Sequence, residues 1–379
     1  MIKKIVIVSS CPLDSRINVL FALDKLVQSS LVVEYLNLSG ITTNEHGNEL
    51  NVPGVNTTSV TSFCSLNLFL KSQCIPETIF IMYMNYSYIT YKSYKIFSKC
   101  HCRMGYFVNG CLPEIESVKV FEILKLVKKN LFFKKLIALL YFKSNLIRPF
   151  EFVLYSCQKA KKEKLKIDKH TYFGNINSTD YQKFNNFKIK KDENIIADKY
   201  AVFIDDYLPF HVDVKLIGED NIPAEKYYDA LNVFFDKVER EIGCQIVVAA
   251  HPIALKYLEH NYFKGRKVLF DKTGDLIKNC SLVIAHFSTA ISFAVLFKKK
   301  MLLVTSDDIN SNQRLCLGVK RFQEVLGCPL YNIDQIPDQI EIQAIDMFKY
   351  DSYKYNYVSN KESEMYDNAE IIRRLIEKL

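Results

Sequence analysis

The stretch from Cys280 to Ser306, CSLVIAHFSTAISFAVLFKKKMLLVTS, admits few folds. Ser281 to Ala285 is a short apolar run suited to a buried strand, and Met301 to Thr305 is a second. Between them His286-Phe287-Ser288-Thr289 reads as a tight connection and Ala290 to Phe297 as a helix. Strand, helix and strand in so little chain make one turn of a parallel α/β sheet. Ser288 and Thr289 fall where the strand gives way to the helix. Their hydroxyls and the free N–H groups of the first helical turn then face one spot, which suits a helix cap or a bound phosphate.

The preceding hundred or so residues repeat the pattern. Tyr200 to Ile204 is a strand ending in Asp205-Asp206, and Gln245 to Ala250 is one ending in His251-Pro252. Lys267 to Phe270 is a third, ending at Asp271. A long helix over Ala224 to Ile242 has Pro223 near its start and Gly243 just past its end, and Pro252 is expected to open another through about His260. The carboxyl ends of parallel strands share one edge, so Asp206, His251, Asp271, Ser288 and Thr289 are expected to line a single crevice.

The first half carries its own βαβ opening: strand Lys3 to Ser9, helix Arg16 to Gln28, strand Leu31 to Leu38. No G-x-G-x-x-G follows it. Thr78 to Tyr86 and Gly105 to Val108 read as further strands, and the loops after them make Asn85, Tyr86, Asn109 and Glu114 acceptor-site candidates. Helices are expected from Glu116 to Lys143. At 379 residues the chain is too long for one ordinary core. The expected division is a first domain over 1–190, a second over 198–350, and a helix over 362–379 packing back across the first domain.

Charge is unevenly placed. Between Lys125 and Lys169 there are 13 Lys and Arg against 3 Asp and Glu, an excess of +10, so the remainder carries 8 − 10 = −2. Aromatic and aliphatic residues interleave with these cations, which suits an anionic membrane surface or a solvated helix face over a core stripe. No nucleic-acid motif accompanies them. No apolar run is long enough to cross a membrane and the N-terminus lacks the h-region of a signal peptide, so a cytoplasmic protein is expected, peripheral on the inner membrane face. The 11 cysteines are scattered and read as reduced thiols, with no zinc-site spacing.

The strand-end residues suggest group transfer from a nucleotide. A histidine and two hydroxyls hold a phosphate, Asp271 accepts from ribose hydroxyls, and Asp206 or Asp205 takes a proton from an attacking alcohol. There is no G-x-S-x-G elbow, no phosphate-binding glycine loop and no metal cluster. In this order, Asp205-Asp206-Tyr207, His251-Pro252 and Ser288-Thr289 resemble the D/E-D/E-G, HP and paired-hydroxyl motifs of bacterial sialyltransferases and polysialyltransferases of the GT-B fold. The stretch VFIDDYLPFHVD also resembles glycosyltransferases of O-antigen and capsule synthesis. Tyr207 departs from the family, standing at the motif glycine.

The resemblance implies two Rossmann-like domains and an inverting, metal-independent glycosyltransferase without a cofactor. Its donor is a CMP-linked nonulosonic acid or Kdo-type sugar, and its acceptor is a glycan, lipid-linked at the membrane. By motif, Asp206 or Asp205 is the base. His251 with Pro252 and Ser288 with Thr289 contact the donor phosphate, and Asp271 the ribose. A UDP-sugar, GDP-sugar or CDP-polyol donor remains open at this point, as does a non-catalytic nucleotide-binding or scaffold role.

Overall fold

A computed structural model describes residues 2–43, 49–113, 132–162, 165–190, 196–211 and 222–379. The described residues form two compact units. The first comprises those of Met1–Cys111, Glu116–Gln182 and Ser359–Leu379, and the second those of Leu112–Ile115 and Lys183–Val358.

The first unit is built on seven parallel strands: β1 (Lys4–Ser9), β2 (Val32–Asn37), β3 (Val55–Ser59), β4 (Thr78–Tyr83), β5 (Arg103–Val108), β6 (Phe152–Tyr155) and β7 (Tyr172–Asn175). Their order is β3-β2-β1-β4-β5-β6-β7. The second is built on six: β8 (Tyr200–Ile204), β9 (Gln245–Ala249), β10 (Val268–Leu269), β11 (Leu282–Ala285), β12 (Lys300–Thr305) and β13 (Leu330–Asn332). All are parallel, in the order β10-β9-β8-β11-β12-β13. Counted within the unit this is 3-2-1-4-5-6, the doubly wound Rossmann order. The fold class is thus α/β with two Rossmann-like units.

Sidedness explains which strands were legible. β1, β4, β8, β9, β11 and β12 lie inside their sheets and are almost wholly buried. They therefore read as continuous apolar runs. β3 and β7 are edge strands with exposed, polar or aromatic residues, and β13 is a half-buried edge of three residues, so periodicity did not mark them. β6 is buried but was hidden in the basic stretch.

Helices differ in detail from expectation. The run expected over Arg16–Gln28 is two helices, Ser15–Phe21 and Leu23–Leu26, broken at Ala22 with φ +47°. Ala224–Ile242 has the expected bounds and ends on Gly243 at φ +66°. After Pro252 there is only a 3₁₀ turn, Leu255–Leu258. Within the expected 116–143 region, Phe132–Lys143 is helical and the rest lies outside the described residues.

Each unit has its own core. In the second, Phe203 of β8 meets Phe235 edge-on at 5.1 Å, and Phe234 is also wholly buried. In the first, Ile5 and Ile7 of β1 pack with Leu20, Leu23 and Leu26, and with Ile372, Leu375 and Ile376 of the last helix, Asn368–Ile376. None of the 11 cysteines is in a disulfide.

Candidate active site

The edge formed by the carboxyl ends of the second sheet carries the candidate residues in an order dictated by the strands. From one side to the other stand Asp271 after β10, His251 after β9, Asp205-Asp206 after β8, Ser288 after β11, and Ser306 after β12. The chain reverses its winding between β8 and β11, and doubly wound sheets open a crevice at such a switch point. Asp206 and Ser288 flank that opening. Phe287 N–H donates to Asp206 Oδ2 at 3.4 Å, and the Ser288 hydroxyl also favours its charged form.

The two aspartates differ sharply. Asp205 is 2% exposed, and neither carboxyl oxygen has a partner in full hydrogen-bond geometry. The N–H groups of Tyr207 and His251 and the Tyr257 hydroxyl offset its burial only partly, so its pKa is pushed up to about 6. Asp206 is half-buried at the edge. Desolvation, then the charge of Asp205, push its pKa up to about 8. Alternation along the strand explains the split, since consecutive side chains face opposite ways.

Tyr207, next after the two aspartates, has φ +55°, in the left-handed region that favours glycine. Its ring is buried, edge-on to Tyr257 at 5.2 Å and against Phe210 at 5.2 Å. The backbone thus keeps a glycine-like turn, stabilised by aromatic packing. Asp271 has φ +54° and an exposed side chain.

His251 is half-buried. Its Nδ1 accepts from Ile253 N–H at 3.3 Å, which assigns the proton of the neutral ring to Nε2. His211 packs edge-on to it at 5.1 Å between ring centres. Pro252 is exposed.

The expected helix N-terminus takes a different form. The helix runs Ile291–Leu296, with Ala290 at its N-cap and no side-chain cap bond. Ser288 Oγ accepts from Ala290 N–H at 3.4 Å and Thr289 is exposed. Neither hydroxyl caps the helix, and Ser288 is turned towards Asp206.

Of the first unit's candidates, Asn85 and Asn109 lie just past β4 and β5. Asn85 Oδ1 accepts from the Tyr106 hydroxyl at 3.1 Å. Asn109 Nδ2 donates to Tyr83 and Thr179 hydroxyls, each at 3.4 Å. The Tyr86 hydroxyl donates to Ala138 O at 2.8 Å and so pins a helix. Glu114 lies outside the described residues.

Several residues near the site went unnoticed in the sequence. His286 is fully buried: its Nδ1–H donates to Val304 O and the Tyr227 hydroxyl donates to its Nε2, both at 2.7 Å. Burial lowers its pKa to about 4, so it is a neutral strut between β11, β12 and the Ala224–Ile242 helix. Tyr228 and Tyr257 share a 2.6 Å hydroxyl contact beside Asp205. Only the adjacent tyrosines 227 and 228 on an amphipathic helix hinted at this cluster.

No protein-family model matches the chain, and no curated protein matches it. Solved structures resemble its fold. The wall teichoic acid polymerase TagF is 11% identical, covering 99% of this chain and 90% of that one, with a TM-score of 0.52. A TagF structure soaked with CDPG is 13% identical with the same coverages and a TM-score of 0.51. The UDP-GlcNAc 2-epimerase of Methanocaldococcus jannaschii is 12% identical, covering 100% of both chains, with a TM-score of 0.51. These likenesses place the chain's fold in the GT-B class. Among the described residues, no group of three His, Cys, Asp or Glu stands at metal-ligating distances, and no helix is long and apolar enough to cross a membrane.

Proposed function

We propose that this protein is a GT-B glycosyltransferase that moves a sugar from a nucleotide donor to a hydroxyl of a glycan acceptor, with inversion and without a metal. The observation that carries this reading is the placement of Asp206 at the switch point of the second sheet, between His251 on one neighbouring strand and Ser288 on the other. The preferred donor is a CMP-linked nonulosonic acid or Kdo-type sugar, as the motif resemblance implies.

In this reading Asp206 is the base. It lies at the open edge whereas Asp205 is enclosed, and its raised pKa makes its carboxylate a better proton acceptor than an ordinary one. It removes the proton of the acceptor hydroxyl as the oxygen attacks the anomeric carbon and the bond to the CMP phosphate breaks. His251, with its proton on Nε2, stabilises the departing phosphate together with Ser288 and Thr289. Asp271 accepts from the ribose hydroxyls. Asn85 and Asn109, at the carboxyl edge of the first sheet, are proposed to meet the acceptor. That acceptor is a lipid-linked glycan of surface-polysaccharide synthesis.

A second reading, transfer of a CDP-linked polyol phosphate, draws on the likeness in fold to TagF, one of whose structures is of a CDPG soak. Thermal shifts with CMP, CDP, UMP, UDP, GDP and ADP test for a cytidine-nucleotide site, and because both donors release CMP, transfer assays with a CMP-sugar and with a CDP-polyol separate the readings. A nucleotide at 100 times its dissociation constant adds about 2.7 kcal/mol of stability. Selective stabilisation by CMP is expected, followed by transfer from a CMP-sugar that survives EDTA. Transfer from a CDP-polyol and not from a CMP-sugar selects the polyol reading, and no response to any nucleotide overturns both.

A further inference from the structure

The Phe132–Lys143 helix is packed inside out. Ala138 is its buried residue. At about 100° per residue, Lys134, Lys135, Ala138, Tyr141 and Phe142 share one side. That side is the docked one. The Tyr86 hydroxyl donates to Ala138 O, Lys95 Nζ donates to the Tyr141 hydroxyl at 3.0 Å, and Phe142 meets the Tyr86 ring at 5.0 Å. The other side carries Phe132, Phe133, Leu136, Ile137, Leu139 and Leu140, spread over an arc of about 160° that also takes in Lys143 at the helix end. All six are exposed, Phe133 by 71% and Leu140 by 59%. An ordinary surface helix turns its apolar stripe to the core and its lysines to water. Here the stripe faces away from the protein.

We propose that this helix is a membrane-docking element that lies flat in the surface of an anionic bilayer, with Phe133, Leu136 and Leu140 among the acyl chains. Charge decides between the occupants. The helix contains Lys134, Lys135 and Lys143 and no acidic residue, within a segment whose excess is +10. A second copy would bring that excess against itself, which disfavours a homodimer through this face. Anionic headgroups complement it. Lys134 and Lys135 are exposed at the margins of the docked side, at headgroup level when the opposite side is immersed, and Lys143, within the apolar arc, reaches the same level by its flexible stem. The breadth of the apolar arc fits a bilayer better than the narrow seam that a single partner helix needs.

This surface stands apart from the transfer chemistry, and its test uses neither donor nor acceptor. The full-length protein is floated with vesicles of phosphatidylcholine alone or with about a third phosphatidylglycerol. Binding to the anionic vesicles at least tenfold tighter is expected, weakening as salt rises. The triple variant Phe133→Ser, Leu136→Ser, Leu140→Ser should lose tenfold or more with an unchanged circular dichroism spectrum. The protein has no tryptophan, so Phe133→Trp supplies a single reporter. Its emission should shift to the blue on vesicles and be quenched by brominated acyl chains. Absence of binding by the unaltered protein, or a tryptophan that stays at its aqueous wavelength on bound vesicles, overturns the proposal. So does a triple variant that binds as before, including one whose only change is conversion from dimer to monomer. Should the triple variant not fold, the tryptophan reporter decides alone.

Discussion

Tyr207 shows what a single residue both hides and reveals. A tyrosine in place of a glycine argues from sequence for a changed turn, yet its φ of +55° keeps the turn and its ring fills a pocket beside Phe210 and Tyr257. Replacing it with glycine removes about 1–2 kcal/mol of backbone strain and forfeits an aromatic core contact costing about 3–5 kcal/mol. Tyr207→Gly is therefore expected to destabilise the protein by about 2–3 kcal/mol in urea titration; a stabilised variant would mean that the strain dominates. The neighbouring aspartates were legible as a pair but not as individuals, because which of two consecutive residues faces inward depends on where the strand ends. Asp206→Asn should lower transfer by at least 100-fold. Its pH behaviour follows from the raised pKa. With Asp206 as the proposed base, the rate of the unaltered protein should climb up to about pH 8, the value to which burial and Asp205 push Asp206. Stability runs the other way. A carboxyl that ionises near its ordinary pKa of about 3.9 when unfolded and later when folded favours the folded state least once both forms are ionised. The stability gained by Asp206→Asn should thus grow between about pH 4 and pH 8 and level off above, as read from thermal midpoints of both proteins. A gain independent of pH would place the ionisation of Asp206 outside this window.

At the scale of elements, legibility followed burial. The inner strands other than β6 and the Ala224–Ile242 helix were readable because burial on both faces leaves a continuous apolar run and a core-facing helix leaves a periodic stripe. The edge strands β3, β7 and β13 leave none, and the break at Ala22 depends on a left-handed residue that no local signal announces. Pairing between strands is likewise invisible in one sequence. Gly105 of β5 lies opposite Phe152 of β6, and a Cβ placed on Gly105 would come within 1.9 Å of the Phe152 ring. The ring covers the space that the glycine leaves. Gly105→Ala should therefore cost about 1–3 kcal/mol through overpacking. Combining it with Phe152→Leu should recover part of that loss, so the double variant is expected to be more stable than the sum of the two single changes allows. Simple additivity in a double-mutant cycle would show that the ring moves aside freely.

For the whole molecule, the sequence disclosed two successive βα patterns and an uneven charge, but not how the last residues are held. That depends on a polar cluster formed by residues nearly 200 apart in sequence. Asn368 is fully buried; its Nδ2 donates to Leu20 O at 2.6 Å and Asn177 O at 2.9 Å, and its Oδ1 accepts from Asn177 N–H at 3.0 Å. Asn177 Nδ2 in turn donates to Ser363 O and Tyr366 O, and the Ser359 hydroxyl donates to its Oδ1. Two asparagines thus spend their side-chain capacity on backbone groups that would otherwise be buried unpaired. Such a network has the ordinary composition of a loop and a helix start, which is why it escaped notice. Asn368→Leu keeps the branched shape and strands three buried groups, each costing about 1–3 kcal/mol, for a total near 3–5 kcal/mol. Because this cluster belongs entirely to the first unit, the loss should appear as faster amide exchange in β1, β2 and β4. Exchange in β8, β9 and β11, and the thermal shift from a bound nucleotide, should stay as they were. Equal acceleration in both sheets would mean instead that the two cores unfold as one cooperative body, and that the last helix stabilises the second sheet as much as the one it packs on.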